Sequence, residues 1–160
     1  MRPARRLGNR HAVGLAQYTS TERIATGVTP TSKAAALRVL ADLLAEGDDT
    51  VSAAGILEVL LAREQLASTG VGSGVAVPHG RVGGLDAIRV ALITVPQGVE
   101  FDSVDGEPVC ILVAILAPKD RPSQHLKVLA DASRLLRRAH VREALLSASD
   151  PAAAFAVLEG

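Results

Sequence analysis

The segment Val109–Ala117 is the longest uninterrupted apolar run in the sequence, and it constrains the fold more than any other feature. Its nine residues are about half of what a membrane-spanning helix requires, so the run is too short to cross a bilayer. Val, Ile and Leu at nearly every position are typical of a β-strand that is covered on both faces. We therefore expect a sheet with helices on each side of it.

Two shorter runs, Val75–Val77 and Ile88–Val95, carry the same strand signature between Gly, Pro and Asp residues. The dipeptide Asp105-Gly106, which precedes Val109, predicts a hairpin with a tight turn. Apolar residues at helical spacing both precede and follow this block of strands. Helices and strands without strict alternation indicate an α/β fold with a mixed (parallel and antiparallel) central β-sheet sandwiched by helices, in a single domain.

Residues with short polar side chains mark the beginnings of the predicted helices. Ser32 stands directly before the first helical pattern, where its hydroxyl can satisfy free backbone N–H groups, and the second helix opens near Ser52. Ser123 and Asp150 are the corresponding N-cap candidates for later helices, and Pro151 follows Asp150 at the first helical position, where proline is favoured.

The composition is that of a globular protein with one core. The chain has 160 residues, with 17 Lys+Arg against 17 Asp+Glu and 48% hydrophobic residues. Balanced charge and only three aromatic residues (one Tyr and two Phe) argue against a nucleic-acid partner. The single cysteine excludes a disulfide framework and a cysteine-based zinc site, and it suits a reducing compartment. We therefore expect a cytoplasmic protein without membrane insertion.

The N-terminal segment differs from the rest of the chain. Residues 1–20 contain four arginines, no acidic residue and no apolar stretch of the kind that a secretory signal requires. We predict that residues 1–20 are a basic, flexible arm or the product of an over-extended start, and that residues 21–160 form the domain. A transient contact of the arm with nucleic acid or an anionic surface is the alternative.

The segment Gly70–Gly80 is the most informative one for function, because four glycines surround a single histidine there. Pro78 fixes its own φ and keeps Val77 extended, whereas Gly80 leaves the chain free to turn away. The pattern predicts that His79 is presented at the end of a short strand. A turn histidine without a role is the alternative.

A histidine in this setting allows few kinds of chemistry. No HxH, HxxxH or HExxH spacing supplies further metal ligands, and no GxSxG motif supplies a nucleophilic serine. The glycines lack the GK[ST] ending of a phosphate-binding loop. We therefore expect neither a metal ion nor a cofactor. The remaining chemistry is attack by the neutral imidazole, with a covalent intermediate.

The motifs together resemble those of the enzyme IIA domains of the mannitol/fructose class, in the bacterial phosphoenolpyruvate-dependent phosphotransferase system. The matching residues around the histidine are Arg63-Glu64, Ser68-Thr69-Gly70-Val71-Gly72 and Val75-Ala76-Val77-Pro78-His79-Gly80. Further matches are Phe101-Asp102, Asp105-Gly106, Pro108-Val109, Pro118 and Gln124-His125-Leu126. The resemblance extends from about residue 20 to the C-terminus.

The resemblance implies a phosphoryl carrier. In this family the histidine of the Pro-His-Gly motif, here His79, accepts a phosphoryl group from HPr or a nitrogen-type HPr. It then passes the group to a IIB domain or acts on regulatory protein targets. Arg63 and His125 match the residues that act with this histidine. The further residues that the resemblance implies as phosphoryl-binding are Ser68, Thr69 and Glu64.

Physical chemistry agrees with these roles. The guanidinium of Arg63 suits phosphate oxygens, and His125 in the first turn of a helix lies among backbone donors that favour anions. Without the resemblance, an exposed Arg63 paired with Glu64 and a surface His125 are the plainer interpretations.

The segment Ser-Thr-Gly-Val-Gly-Ser-Gly, which precedes the Pro-His-Gly motif, resembles the nitrogen-regulatory branch of the family. The length of the chain, too short for fused IIB, IIC or HPr domains, favours the same branch. The first alternative is the IIA subunit of a split fructose- or mannitol-type sugar permease. The second is a regulatory binding module with a IIA fold and no phosphoryl transfer.

Overall fold

The computed structural model describes residues 14–160, which contain six β-strands and five α-helices. The strands are β1 (Ile24–Ala25), β2 (Gly70–Gly72), β3 (Val75–Ala76), β4 (His79–Val82), β5 (Arg89–Val99) and β6 (Val109–Pro118). The helices are α1 (Lys33–Ala45), α2 (Ala53–Leu66), α3 (Pro122–Leu136), α4 (Ala139–Ser147) and α5 (Pro151–Glu159). None of the helices in this part of the chain combines the length and the hydropathy that crossing a bilayer requires.

The strands form one mixed sheet with β6 at its centre. One edge of β6 pairs antiparallel with β5, which in turn pairs parallel with β1. The other edge pairs first with β3, opposite Ile111 and Leu112, and then with β4, opposite Ile115 to Pro118. Both of these short strands are parallel to β6, and β2 pairs antiparallel with β3. The predicted mixed α/β sheet is confirmed.

Alternation of side chains along β6 explains why this strand is apolar at nearly every position. Leu112 and Leu116 are buried on the face that packs against α1 and α2. Ile111 and Ile115 are buried on the opposite face, under α3, α4 and α5. Helices therefore cover both faces of the sheet, as the apolar run predicts.

Part of the stretch predicted as an N-terminal arm packs into the apolar core on the face of the sheet that α3, α4 and α5 cover. Residues Gly14–Tyr18 form a 3-10 turn, in which Leu15 and Ala16 are buried. A second 3-10 turn spans Thr21–Arg23 and leads into β1. Residues 1–13 of the predicted arm lie outside the described residues.

The predicted N-caps Ser32 and Asp150 are confirmed and Ser123 is wrong, while Ser52, near which a helix was predicted to open, is an N-cap as well. The side chains of Ser32, Ser52 and Asp150 accept hydrogen bonds from backbone N–H groups in the first turns of α1, α2 and α5. Ser123 does not cap α3, because that helix begins at Pro122 with Arg121 as its N-cap residue. Proline prefers the first helical position, so it displaces the beginning of the helix by two residues from the serine-based prediction.

The turn at Asp105-Gly106 is also different from the prediction. β5 and β6 do form an antiparallel pair, but residues 100–108 connect them as a longer loop. Within it, the N–H of Gly106 donates to the carbonyl of Ser103 at 3.0 Å, which closes a turn. The carboxylate of Asp105 accepts from the backbone N–H groups of Ser73 and Glu107. The loop is therefore fixed to the turn between β2 and β3.

Truncation at the centre of β6 should destabilise the protein. Leu112 has no exposed surface, so Leu112→Ala removes buried methyl groups and should lower the free energy of unfolding by about 2–5 kcal/mol. The control is Val104→Ala, at a side chain that is 82% exposed, with an expected change below about 0.5 kcal/mol. Urea unfolding measures both variants, and equal midpoints would contradict the placement of Leu112 in the core.

Candidate functional site

The candidate site lies where the C-terminal half of α2 meets the beginning of β4. The two elements approach most closely at Gly80, where a Cβ atom would stand 2.3 Å from Cγ1 of Val59. That separation is far below van der Waals contact, so the close approach of α2 and β4 requires a residue without a side chain at position 80. Arg63 lies about one helical turn beyond Val59 on α2. Its side chain therefore reaches His79, the first residue of β4.

A cavity of about 440 Å³ opens beside these two residues. Its lining contains two histidines, two arginines and apolar residues of α2 and α3. The lining residues are Val59, Arg63, His79, Gly80, Arg81, Pro122, His125, Leu126 and Leu129. The fold thus brings together His79, Arg63 and His125, which lie far apart in the sequence.

The hydrogen bonds of His79 define which of its ring nitrogens is unprotonated. Nδ1 lies 2.8 Å from the carbonyl oxygen of Val77. A carbonyl oxygen only accepts, so Nδ1 carries the proton of the neutral ring and Nε2 keeps its lone pair. Nε of Arg63 donates to Nε2 across 3.3 Å, a long bond that an incoming electrophile can replace. Nε2 is therefore the ring nitrogen whose lone pair faces the cavity.

The end of α2 fixes the direction of the Arg63 guanidinium. Nη1 of Arg63 donates to the carbonyl oxygen of Ala67 at 2.8 Å, just beyond the last helical residue. Carbonyl groups at a helix end lack partners within the helix, and the arginine supplies one. With Nη1 held by the backbone and Nε at His79, the guanidinium plane is set at the edge of the cavity.

His125 contributes a buried ring that faces His79 edge-on. His125 is only 7% exposed. The ring centroids of His125 and His79 lie 5.5 Å apart, with an interplanar angle of 69°. Nε2 of His125 is buried and has no hydrogen-bond partner among the residues that the structure describes. A buried polar atom without a partner is costly, so this nitrogen marks a place for a hydrogen-bonding ligand.

Both rings are neutral near pH 7. Burial, followed by the charges of His79 and Arg81, lowers the pKa of His125 to about 4. Burial is also the main cause that lowers the pKa of His79. The Val77 carbonyl opposes that shift, the charge of Arg63 adds to it, and the nearby Glu64 opposes it. A neutral ring with a free Nε2 is the form of histidine that can attack an electrophile.

Glu64, Ser68 and Thr69, which the motifs indicated as phosphoryl-binding, are not among the residues that line the cavity. Oγ of Ser68 donates to the carbonyl of Phe101 at 2.7 Å and accepts from the N–H of Gly70 at 3.0 Å. The Glu64 carboxylate is buried and accepts from the backbone N–H and the hydroxyl of Thr69. In the structure, these polar side chains bond to the protein itself and hold the segment after α2.

Arg81 is a site residue that the sequence motifs did not indicate. It lies on β4 two residues beyond His79, and both line the cavity because side chains two apart share one face of a strand. This spacing was visible in the sequence, but it acquires a meaning only once His79–Val82 is known to be a strand. Arg81 adds a second positive charge to the cavity.

The same lining is a poor metal site. Within residues 14–160, no group of three or more His, Cys, Asp or Glu side chains is placed to hold a metal ion. His79 and His125 alone supply two nitrogen ligands, fewer than the usual three or four of a protein zinc site. The arginines of the lining would also repel a cation.

Comparison with known proteins identifies the family. The family described as "Phosphoenolpyruvate-dependent sugar phosphotransferase system, EIIA 2" matches residues 17–160. The chain belongs to this family. A nitrogen regulatory protein of Pseudomonas aeruginosa is 35% identical to it over 146 residues, which cover 91% of this chain and 95% of that protein. The fructose-specific EIIA component of Haloferax volcanii is 34% identical, over 84% of this chain and 87% of its own.

A solved structure agrees with the sequence relatives. The crystal structure of the nitrogen regulatory protein IIA-Ntr from Neisseria meningitidis superposes on this IIA domain with a TM-score of 0.83 and 32% identity. The superposition covers 89% of this chain and 97% of that one. The family resemblance that the motifs carry is therefore confirmed, together with the fold class.

The buried, neutral His125 should make the IIA domain sensitive to mild acid. Its pKa is about 4 in the folded protein and about 6.5 in an unfolded chain. Between these two pKa values the unfolded chain binds more protons than the folded protein does. The stability that the neutral His125 ring contributes is therefore complete above the pKa of the unfolded chain, and it is lost as the pH falls towards the pKa of the folded protein. In His125→Gln this part of the loss is absent.

Urea unfolding of the wild type and of His125→Gln near pH 7 and near pH 5 measures the effect. The stability of the variant relative to the wild type should improve at the lower pH. A difference between the two proteins that is the same at both pH values would contradict the lowered pKa of His125.

Proposed function

We propose that this IIA domain is a phosphoryl carrier, which accepts a phosphoryl group on Nε2 of His79 from an HPr-like protein and hands it to a second protein. The observation that carries the proposal is a neutral imidazole with an unprotonated Nε2, set in a cavity between the Arg63 guanidinium and the buried Nε2 of His125. Groups that can donate hydrogen bonds, placed around a nucleophile, complement an electrophile that carries negatively charged oxygens.

The transfer exchanges one P–N bond for another. The lone pair on Nε2 of His79 attacks the phosphorus of the donor's phosphohistidine, the donor's P–N bond breaks, and its electron pair returns to the donor imidazole. The proton on Nδ1 of His79 stays in the hydrogen bond to Val77. No base has to remove a proton before the attack, because the neutral ring already presents a lone pair.

The lining of the cavity stabilises the product. A phosphoryl group brings about two negative charges near neutral pH, and the charged side chains of the lining, Arg63 and Arg81, are both positive. A guanidinium donates to phosphate oxygens with matching geometry. The new charge also raises the pKa of His125, which strengthens that ring as a donor.

The rim of the cavity supports docking by another protein. Its apolar part consists of Val59, Pro122, Leu126 and Leu129. Leu126 is 69% exposed, and an apolar surface next to the charge of Arg81 suits a transient protein contact. We assign HPr or a nitrogen-type HPr to this surface as donor. The recipient, a IIB domain or a regulatory protein target, uses the same surface because it must reach the same His79.

The form of this function that we favour is the nitrogen-regulatory one. The nitrogen regulatory proteins of Pseudomonas aeruginosa and Neisseria meningitidis match this chain over 95% and 97% of their own length, which supports a free-standing carrier that acts through protein targets in the cytoplasm. Phosphorylation adds charge at the centre of the docking surface, so it changes which partner fits there.

A second candidate function follows from the fructose-specific EIIA relative. In this candidate function, the IIA domain passes the phosphoryl group to the IIB component of a split fructose- or mannitol-type permease. The two candidates differ in the recipient. A third, a docking module with the IIA fold and no phosphoryl transfer, is disfavoured by the intact set of His79, Arg63 and His125.

Phosphoenolpyruvate, enzyme I and an HPr-type donor should add one acid-labile phosphoryl group to the IIA domain. His79→Ala should abolish the labelling, because it removes the nucleophile, and Arg63→Gln should slow it by roughly 10²–10³-fold through loss of a preorganised donor. Intact-mass spectrometry before and after mild acid treatment counts the groups.

Two exposed residues provide matched controls for these variants. His140→Ala and Arg38→Gln change side chains on the surfaces of α4 and α1, and both proteins should label at the wild-type rate. Absence of label on the wild type with either type of HPr would overturn the proposal. If, in addition, target binding is insensitive to His79→Ala, the docking module becomes the better account.

The recipient decides between the regulatory and the transport function. If the regulatory form is correct, the phosphorylated IIA domain should keep its label when mixed with fructose- and mannitol-type IIB proteins, and it should bind protein targets differently from the unphosphorylated form. The measurement is the label on each protein after separation. Rapid transfer of the label to a IIB protein would establish the permease subunit instead.

A further inference from the structure

A second polar cluster, outside the cavity, is centred on a buried carboxylate. The side chain of Glu64 is only 5% exposed, and Lys33, the first residue of α1, lies 2.9 Å from one of its oxygens. The backbone N–H of Thr69 donates to both carboxylate oxygens, at 3.2 and 3.1 Å, and its hydroxyl donates to Oε2. Such pairing is what allows a charged group to stay in the interior. We call Lys33, Glu64 and Thr69 the clamp.

Two hydrogen bonds connect the clamp to His79, and the backbone of Val77 takes part in both of them. The carbonyl of Thr69 accepts from the N–H of Val77 at 3.0 Å. The carbonyl of Val77 in turn accepts from Nδ1 of His79 at 2.8 Å. Thr69 therefore holds the peptide segment whose carbonyl selects the tautomer of the reactive ring.

The clamp is also connected to Arg63. Glu64 follows Arg63 on α2, but adjacent residues of a helix face in different directions, so one reaches Thr69 and the other reaches the cavity. By holding Thr69 against the end of α2, Glu64 also restricts Ala67, whose carbonyl accepts from Nη1 of Arg63. The same short segment therefore supports both groups that meet at Nε2 of His79.

We propose that Lys33, Glu64 and Thr69 are positioning residues for phosphoryl transfer: through Thr69, the clamp sets the tautomer of His79 and the placement of the Arg63 guanidinium beside it. The inference rests on the proposed function. It gives Glu64 and Thr69 an indirect role in place of contact with the phosphoryl group, because their polar atoms already bond to each other. Misplacement of reacting groups by about 1 Å can cost on the order of 100-fold in rate.

Thr69→Val and Thr69→Ser form the principal test. Valine has the shape of threonine but cannot donate to the Glu64 carboxylate, whereas serine can. We expect Thr69→Val to lower the maximal rate of phosphorylation by roughly tenfold or more, since it loosens both reacting groups. The donor concentration at half-maximal rate should stay unchanged, because the docking rim is untouched. Thr69→Ser should stay within about twofold of the wild-type rate.

A measurement without any donor separates this inference from the proposed function. The ring nitrogen shifts of His79 in unphosphorylated, ¹⁵N-histidine-labelled protein report its tautomer. Wild type and Thr69→Ser should show the Nδ1–H form, and Thr69→Val should show a mixture. If the wild type accepts no phosphoryl group while this difference appears, the proposed function fails, and what remains supported is that the clamp sets the tautomer of His79. A wild-type rate and spectrum in Thr69→Val would overturn the clamp.

Thr50→Val is the matched control. The hydroxyl of Thr50 also donates to a carboxylate, that of Asp48, but it does so in the turn before α2, at the opposite end of this helix from Arg63. Its rate and spectrum should be those of the wild type, and a defect equal to that of Thr69→Val would overturn the proposal.

A second variant keeps the test decisive if Thr69→Val does not fold. Lys33→Gln changes the more exposed member of the clamp, whose side chain is 22% exposed. Slower transfer together with a mixed His79 tautomer supports the clamp, whereas a wild-type rate and spectrum would overturn it.

Discussion

The hydrogen bond from Nδ1 of His79 to the carbonyl of Val77 determines what the imidazole can do. It commits one nitrogen to the backbone, and it leaves the lone pair of the other in a cavity with Arg63 and His125. Burial keeps the ring neutral by lowering its pKa. The tautomer of the ring thus depends on a peptide group, and the position of that peptide group depends on the fold.

The fold supplies this position through the central strand. β6 is buried on both faces, and it carries β3 and β4 one after the other along the same edge. The chain passes from one short strand to the next at Val77-Pro78, so His79 begins β4 beside an interruption. The contact of Gly80 with Val59 then brings the end of α2, with Arg63, next to the ring. A rigid sheet and a missing side chain therefore set the geometry of a polar site.

Local sequence patterns predicted the parts of the structure that depend on local physics. The apolar run of β6 and the caps Ser32 and Asp150 follow from neighbouring residues. His79 was predicted at the end of a short strand, whereas in the structure it is half-buried and begins the next strand, β4. β4 was not predicted, because a four-residue strand that contains Gly80 has little strand propensity of its own. It forms because the edge of β6 is available to it. Arg81 went unnoticed for the same reason.

The motifs placed His79, Arg63 and His125 together, and the cavity contains all three. They did not show that Glu64, Ser68 and Thr69 lie outside the cavity lining, because a motif gives the types of residues and not the atoms that they contact. Those atoms are fixed by the pairing of Glu64 with Lys33, a contact between the beginning of α1 and the end of α2. Tertiary contacts of this kind have no signal in residue spacing.

The most direct test of the account is to determine which nitrogen of His79 carries the phosphoryl group. In phosphorylated, ¹⁵N-histidine-labelled protein, coupling between phosphorus and a ring nitrogen identifies the bonded atom. We expect phosphorus on Nε2, with the Nδ1 proton retained by the Val77 carbonyl. Phosphorus on Nδ1 would contradict it, because the hydrogen bond that orients the ring would then have to break for the chemistry to occur.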